Sequence, residues 1–202
     1  SFIFGAWPIG VALTVMKLMG EQAQEESICR VSTLYFALSD PETAGKFYNY
    51  HWELIRAGKM NRRNRDDIIF TPSVVAVRND TNNEAMMVEK DWYEMDVITC
   101  AAPDLRQLGD AAQFSPTMEE LRTLHEHRWR CILAVAAQHE ADVLILGAFG
   151  CGVFANPPEL VVKAFNNVLP EFHSHFETIE FAVYTTRMEA TNYRAFGGIT
   201  DI

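Results

Sequence analysis

Two short stretches of this chain carry residue types that could do chemistry. The first is Gln24-Glu25-Glu26, adjacent carboxylates behind an amide. A carboxyl group can deliver a proton to a departing oxygen and, once ionised, activate water. Two neighbouring carboxyls push their pKa values apart, so that one stays protonated near neutral pH. The second stretch runs from Gly147 through Ala148, Phe149, Gly150, Cys151, Gly152, Val153, Phe154 and Ala155 to Asn156. Gly150 and Gly152 can take backbone angles closed to other residues, so several N–H groups can converge on one anion such as a diphosphate. Each stretch also has a plainer reading. Charged pairs complement the positive end of a helix, and a glycine-bearing turn can simply connect a strand to a helix.

The glycine stretch fits neither the Gly-x-Gly-x-x-Gly dinucleotide pattern nor the Walker pattern, so a generic NAD or ATP site is not expected. His125-Glu126-His127 and His173-Ser174-His175 invite a metal reading. On a helix, however, residues two apart face different ways, and neither matches the His-Glu-x-x-His spacing. Cys151 lies between glycines but has no recognisable histidine partner, so it reads as a loop residue and not a nucleophile. The aromatic run Phe47-Tyr48-Asn49-Tyr50-His51-Trp52 lacks the surrounding cations of a base-stacking platform and reads as packing.

These residues must be held by a protein of 202 residues, 49% hydrophobic and 22% charged, enough for one substantial core. A single domain over 1–202 is expected. A net charge of -10 argues against general nucleic-acid or anionic-membrane binding, since phosphates are held largely by Lys and Arg. The one basic run, Lys59 to Arg65, is followed by Asp66 and Asp67 and reads as a solvated loop. Cys29, Cys100, Cys131 and Cys151 are scattered, which fits reduced thiols in a cytoplasmic protein. No apolar run reaches the about 18 residues of a membrane span.

The elements expected to position the two stretches alternate between strand and helix. Ser1 to Phe4 reads as part of a strand, and Ile9 to Met19 as a helix or a long apolar loop. Ile28, Val31, Leu34, Tyr35 and Leu38 recur at helical spacing, predicting one helix over 21–38. Ile68 to Val77, broken by Pro72, and Asp96 to Ala102 read as strands. Ser115-Pro116-Thr117 with Glu119 and Glu120 predicts a helix start, Pro116 lying in the first turn and the helix running to about His139. Ala141 to Gly147 reads as a strand buried on both faces, and the glycine stretch leads through Pro157-Pro158 into a helix to about Leu169. A last strand spans Thr178 to Thr185 and a last helix Met188 to Phe196. This order predicts an α/β fold of three α/β/α layers around a mixed, largely parallel sheet.

The segment Leu146 to Glu159 resembles the phosphate-binding signature of microbial-type poly(ADP-ribose) glycohydrolases. The resemblance extends to Ala23–Tyr35, Thr71–Asp80 and Val97–Pro103, in the family's order, and closes on Phe181–Tyr184 and Asn192–Phe196. It implies a macrodomain that acts on ADP-ribose or poly(ADP-ribose), with no cofactor and no metal. It implies that Glu26 is the acid and then the base, that Glu25 binds hydroxyls of the ribose beside the scissile bond, and that Gln24 helps fix the loop. On the second stretch it implies that Phe154 packs against this ribose and that Gly150, Cys151, Gly152 and Val153 offer backbone amides to the diphosphate. Gly10, Gly147 and Asn156 complete the substrate-binding residues it implies.

The chain departs from the family upstream. Where the family carries Asn-Phe-Ala-Ser and then Asn-Pro-Gly-Gly-Gly, this chain has Ser1 to Val11, with Gly10 as the one remaining triplet glycine and Ile9 and Val11 beside it. β-Branched residues resist the angles glycine allows, so this loop cannot copy the family's backbone path. Three functions stay open at this point: an ADP-ribosyl glycohydrolase, a non-hydrolysing macrodomain that binds ADP-ribose or a related adenine nucleotide signal, and a degenerate scaffold whose remaining surface contacts a protein partner.

Overall fold

The computed structural model describes residues 10–14, 24–59, 66–79, 85–106, 116–183 and 190–197, excluding the side chains of 10–14, Gln24 and Glu26. The chain forms two compact units, 1–101 and 102–202.

In the first unit, β3 (Tyr93–Cys100) is the central strand. β2 (Ile68–Ala76) pairs with it antiparallel and β1 (Gly10–Thr14) pairs with it parallel, with Val11 opposite Asp96 and Thr14 opposite Thr99. Flanked on both edges, β3 needs apolar residues on both faces, and Val97, Ile98 and Cys100 are wholly buried. β1 corrects the expectation of a helix or loop over 9–19. A five-residue apolar stretch carries no period that separates strand from helix, and pairing with β3 decides it. The strand expected at Ser1–Phe4 and the basic run after Lys59 lie outside the described residues.

The single helix expected over 21–38 is two, α1 (Gln24–Val31) and α2 (Leu34–Leu38). Ser32 Oγ donates to Ile28 O at 2.7 Å, while Thr33 N–H donates to Val75 O at 3.0 Å and Thr33 Oγ1 accepts from Val75 N–H at 2.9 Å. Hydroxyl side chains that bond nearby backbone compete with the helix ladder, and here β2 supplies the alternative partner. Ile28, Leu34 and Leu38 still share one core, with Val74, Met95 and Val97. α3 (Pro41–Ala44) is capped by Asp40, a π-helical turn spans Gly45–Asn49, and α4 (Tyr50–Arg56) follows. Pro72 falls at an irregularity of β2 between Thr71 and Val74, where Ser73 has φ 55 and its N–H donates to Asp96 Oδ1 at 2.9 Å.

In the second unit, α5 (Met118–Gln138) starts on a capping box. Thr117 Oγ1 accepts from Glu120 N–H at 3.2 Å and Glu120 Oε2 accepts from Thr117 N–H at 2.7 Å. Pro116 therefore precedes the cap and does not sit in the first turn. β4 (Val143–Leu146), α6 (Pro158–Val168) and β5 (Thr178–Phe181) form a strand-helix-strand unit in which β4 and β5 are parallel, Val143 opposite Thr178 and Leu146 opposite Phe181. α7 (Thr191–Phe196) follows. β5 ends at Phe181, with Ala182 and Val183 outside the strand, and α7 begins at Thr191, with Ala190 before the helix; the rest of the extensions expected to Thr185 and back to Met188 falls outside the described residues. The core is aromatic: Trp129 lies 5.2 Å from both Phe149 and Phe165, and Phe181 lies 4.9 Å from Phe165 and 5.2 Å from Phe196. No described helix is long and apolar enough to cross a membrane.

Candidate active site

Gln24, Glu25 and Glu26 form the first turn of α1, the end at which a helix favours negative charge. The side chains of Gln24 and Glu26 lie outside the described residues. The Glu25 carboxyl is turned into the first unit, where Tyr48 OH donates to its Oε1 at 3.2 Å. Its Oε2 is buried and has no hydrogen-bond partner among the described residues. Burial pushes the Glu25 pKa up to about 7, and the Tyr48 hydrogen bond holds it down in part. Tyr48 is in turn pushed well above the usual phenol range by burial and by the neighbouring carboxylate, so its hydroxyl remains a donor. Tyr48 belongs to a run that reads as packing in the sequence. Phe47 and His51 are indeed buried, their rings 4.7 Å apart, but Tyr48 carries a polar contact that residue spacing does not reveal.

The glycine stretch lies between β4 and α6. Gly147 and Gly150 are buried, whereas Gly152 and Val153 stand out into solvent. Gly150 has φ +74, and a Cβ there would lie 2.5 Å from Asn156 Nδ2 and 2.7 Å from Ala102 Cβ. No other residue fits that position without moving its neighbours. The N–H groups of Gly150, Gly152, Val153 and Phe154 make no hydrogen bond to any described residue. Cys151 differs, because its N–H donates to Ala148 O at 3.0 Å and is not offered to a ligand. Its thiol is pushed up to about 12 by burial and by Glu159, and it rests on Phe149 O, which leaves it protonated and unsuited to attack.

Asn156 is the hub of this turn. It is 2% exposed, and its Nδ2 donates to Pro103 O at 2.7 Å and to Gly150 O at 2.9 Å. Its Oδ1 lies 2.9 Å from His125 Nε2, so both polar ends are committed within the protein. An amide oxygen can only accept, which makes His125 Nε2 the protonated nitrogen of that ring. Burial, aided by Arg128, lowers the His125 pKa to about 4, so the ring is neutral at physiological pH. His125 is therefore a structural partner of the loop. His173 and His175 turn Nδ1 toward Pro170 O and Phe172 O, and among the described residues no group of His, Cys, Asp or Glu could hold a metal ion.

The half-buried Phe154 is held from the segment that follows β3. Leu105 N–H donates to Phe154 O at 3.1 Å, and Arg106 Cζ lies 5.1 Å from the centroid of the Phe154 ring. Asp104 fixes the guanidinium through Nε at 2.9 Å and Nη2 at 2.7 Å. Neither Asp104 nor Arg106 announces itself in the sequence. The strand prediction stops at Pro103, and only the fold brings these residues to Phe154.

The family model for the microbial-type PARG catalytic domain matches residues 18–79. The crystal structure of poly(ADP-ribose) glycohydrolase from Deinococcus radiodurans in complex with ADP-ribose is 31% identical over 92% of this chain and 73% of that one, with a TM-score of 0.75. The chain belongs to the microbial-type poly(ADP-ribose) glycohydrolase family. Two structures of the glycohydrolase from Thermomonospora curvata are also similar. One is 28% identical, covers 95% of this chain and 68% of that one, and has a TM-score of 0.79. The other, bound to the inhibitor ADP-HPD, is 29% identical, covers 93% and 69%, and has a TM-score of 0.77. No curated protein sequence matches this family member. Its Gly10 opens β1 and does not lie in a loop, which differs from the place expected for the remaining triplet glycine.

Proposed function

We infer that the chain is an ADP-ribosyl glycohydrolase that cleaves the ribose glycosidic bond of poly(ADP-ribose) or of ADP-ribosylated targets. The observation that carries this reading is the likeness, over more than nine-tenths of the chain, to glycohydrolases solved with ADP-ribose and with ADP-HPD. The finer architecture belongs to the same proposal: one macrodomain over 1–202, of three α/β/α layers with a mixed, largely parallel sheet, in the cytoplasm.

In the proposed mechanism the Glu26 carboxyl donates its proton to the departing hydroxyl oxygen as the bond to the anomeric carbon breaks. The resulting carboxylate then takes a proton from water as the water oxygen bonds to that carbon. Glu25 binds the ribose beside the scissile bond, and Gln24 steadies the turn. The N–H groups of Gly150, Gly152 and Val153 hold the diphosphate, with Gly147 and Asn156 shaping the loop behind them and Phe154 against the ribose. Support comes from the amides of Gly150, Gly152 and Val153, which make no hydrogen bond to any described residue.

Glu26→Gln tests the mechanism. The variant is expected to bind ADP-ribose in a calorimeter as the parent does and to release none from poly(ADP-ribose). Normal turnover would sink the assignment. One observation favours a second reading, a non-hydrolysing macrodomain that binds ADP-ribose. The lone residue of the family's glycine triplet, Gly10, is the first residue of a strand. Binding by the parent without product formation would select that reading.

A further inference from the structure

Among the described residues, the Glu25 carboxyl is held from one side only. Its Oε1 accepts the Tyr48 hydroxyl at 3.2 Å, and its Oε2 is buried without a partner among the described residues. A buried acceptor with no donor is costly, and such atoms in a folded protein call for an explanation. A ribose hydroxyl is a donor of the right kind to satisfy it.

Tyr48 reaches this carboxyl from the π-helical turn Gly45–Asn49 between α3 and α4. A π turn widens the helix locally and shifts the face presented by the residues it contains, and such turns recur at functional sites. Phe47 anchors the turn, its ring edge-on to Tyr48 at 5.1 Å and to His51 at 4.7 Å, and it packs with Ala101 and Ile69. With Phe47 and His51 buried, the neighbouring Tyr48 lays its ring against Ile28 and Val97 of the core and ends at α1. The strong preference of that phenol for its protonated form keeps it a donor toward Glu25.

We propose that Tyr48 is a positioning residue for ribose recognition: its hydroxyl fixes Glu25 Oε1 and so leaves Oε2 as the acceptor for a hydroxyl of the ligand's terminal ribose. The inference rests on the glycohydrolase reading. It assigns to Tyr48 the discrimination between ADP-ribose and ADP, which lacks that ribose.

Calorimetry with both ligands on the parent, Tyr48→Phe, Glu25→Gln and the double variant tests it. Tyr48→Phe keeps the ring and is checked by its unfolding temperature. It is expected to weaken ADP-ribose binding about tenfold to a hundredfold, the scale of one hydrogen bond to a charged group, while ADP binding changes less than about twofold. Tyr48→Phe in the Glu25→Gln background is expected to add nothing further. Unchanged ADP-ribose affinity in Tyr48→Phe, an equal loss for ADP, or additive losses in the double variant would each overturn the inference alone. A parent with no affinity for ADP-ribose would overturn the functional reading and this inference with it.

Discussion

His125 Nε2 lies 2.9 Å from Asn156 Oδ1, the end of the amide that the carbonyls of Gly150 and Pro103 leave to it. With its oxygen on the histidine, the amide nitrogen faces Gly150 O and Pro103 O. Asn156→Asp puts an oxygen where that nitrogen was, against two carbonyl groups and inside a buried site. The expected cost is about 3 kcal/mol of stability, together with loss of ADP binding. Denaturant titration and calorimetry read the two effects, and an aspartate variant as stable as the parent would show that the amide does not hold the turn.

Gly150 and Gly152 make a matched pair for testing the loop. At Gly150, φ is +74 and an added Cβ would lie 2.5 Å from the Asn156 amide, whereas at Gly152 it would meet nothing within 4 Å. Gly150→Ala is expected to cost about 1–3 kcal/mol and to weaken ADP-ribose binding, and Gly152→Ala to stay within about 0.5 kcal/mol of the parent. Equal unfolding midpoints for the two variants would contradict the geometry.

The neutral, buried His125 makes stability depend on acid. Its folded pKa is about 4, below the about 6.5 of an unfolded histidine, so on acidification the unfolded chain takes up the proton first. Its contribution is intact above about 6.5 and is lost as the pH falls from there toward 4, on the order of 3 kcal/mol in full. His125→Gln, whose amide can still donate to Asn156, is expected to flatten that part of the stability–pH curve. Identical slopes in variant and parent between pH 6.5 and 4 would count against a buried neutral ring.

Glu25 works in the opposite sense. Its folded pKa of about 7 exceeds the about 4.3 of a free glutamate, so between these values the folded chain binds more protons than the unfolded one. Stability then declines as the pH rises from about 4.3 to about 7, by up to roughly 4 kcal/mol. Glu25→Gln keeps the Tyr48 contact without the charge and is expected to be more stable than the parent at pH 8 and no more stable at pH 4. A variant less stable at both pH values would reverse the argument. Stabilisation by removing a site carboxyl is the expected mark of a group retained for function at the expense of the fold.

The sequence reveals those parts of the protein whose causes are local. The apolar run that becomes β4, the Pro157-Pro158 entry to α6 and the Thr117–Glu120 start of α5 all carry their reasons within a few residues. The break between α1 and α2 does not, because it depends on Thr33 meeting Val75, 42 positions away. Gly10–Thr14 is a strand only in the presence of β3. The candidate site divides in the same manner. Gln24 to Glu26 and the glycine stretch stand out as segments, while Tyr48, His125, Asp104 and Arg106 acquire their roles only through contacts made by folding.

The Pro72–Ser73 irregularity bears on how the molecule behaves among its own copies. β2 has a paired strand along one side, β3, and toward the end of its other side the Thr33 backbone and hydroxyl occupy Val75. Between these lie exposed Pro72, which has no N–H, and Ser73, whose N–H is turned back onto Asp96. An open strand margin ordinarily recruits a stranger's strand and seeds aggregates. Here a proline and a kinked serine interrupt the row of donors that such recruitment needs, so the most β-branched segment of the first unit is kept from zipping to a neighbouring molecule at high concentration.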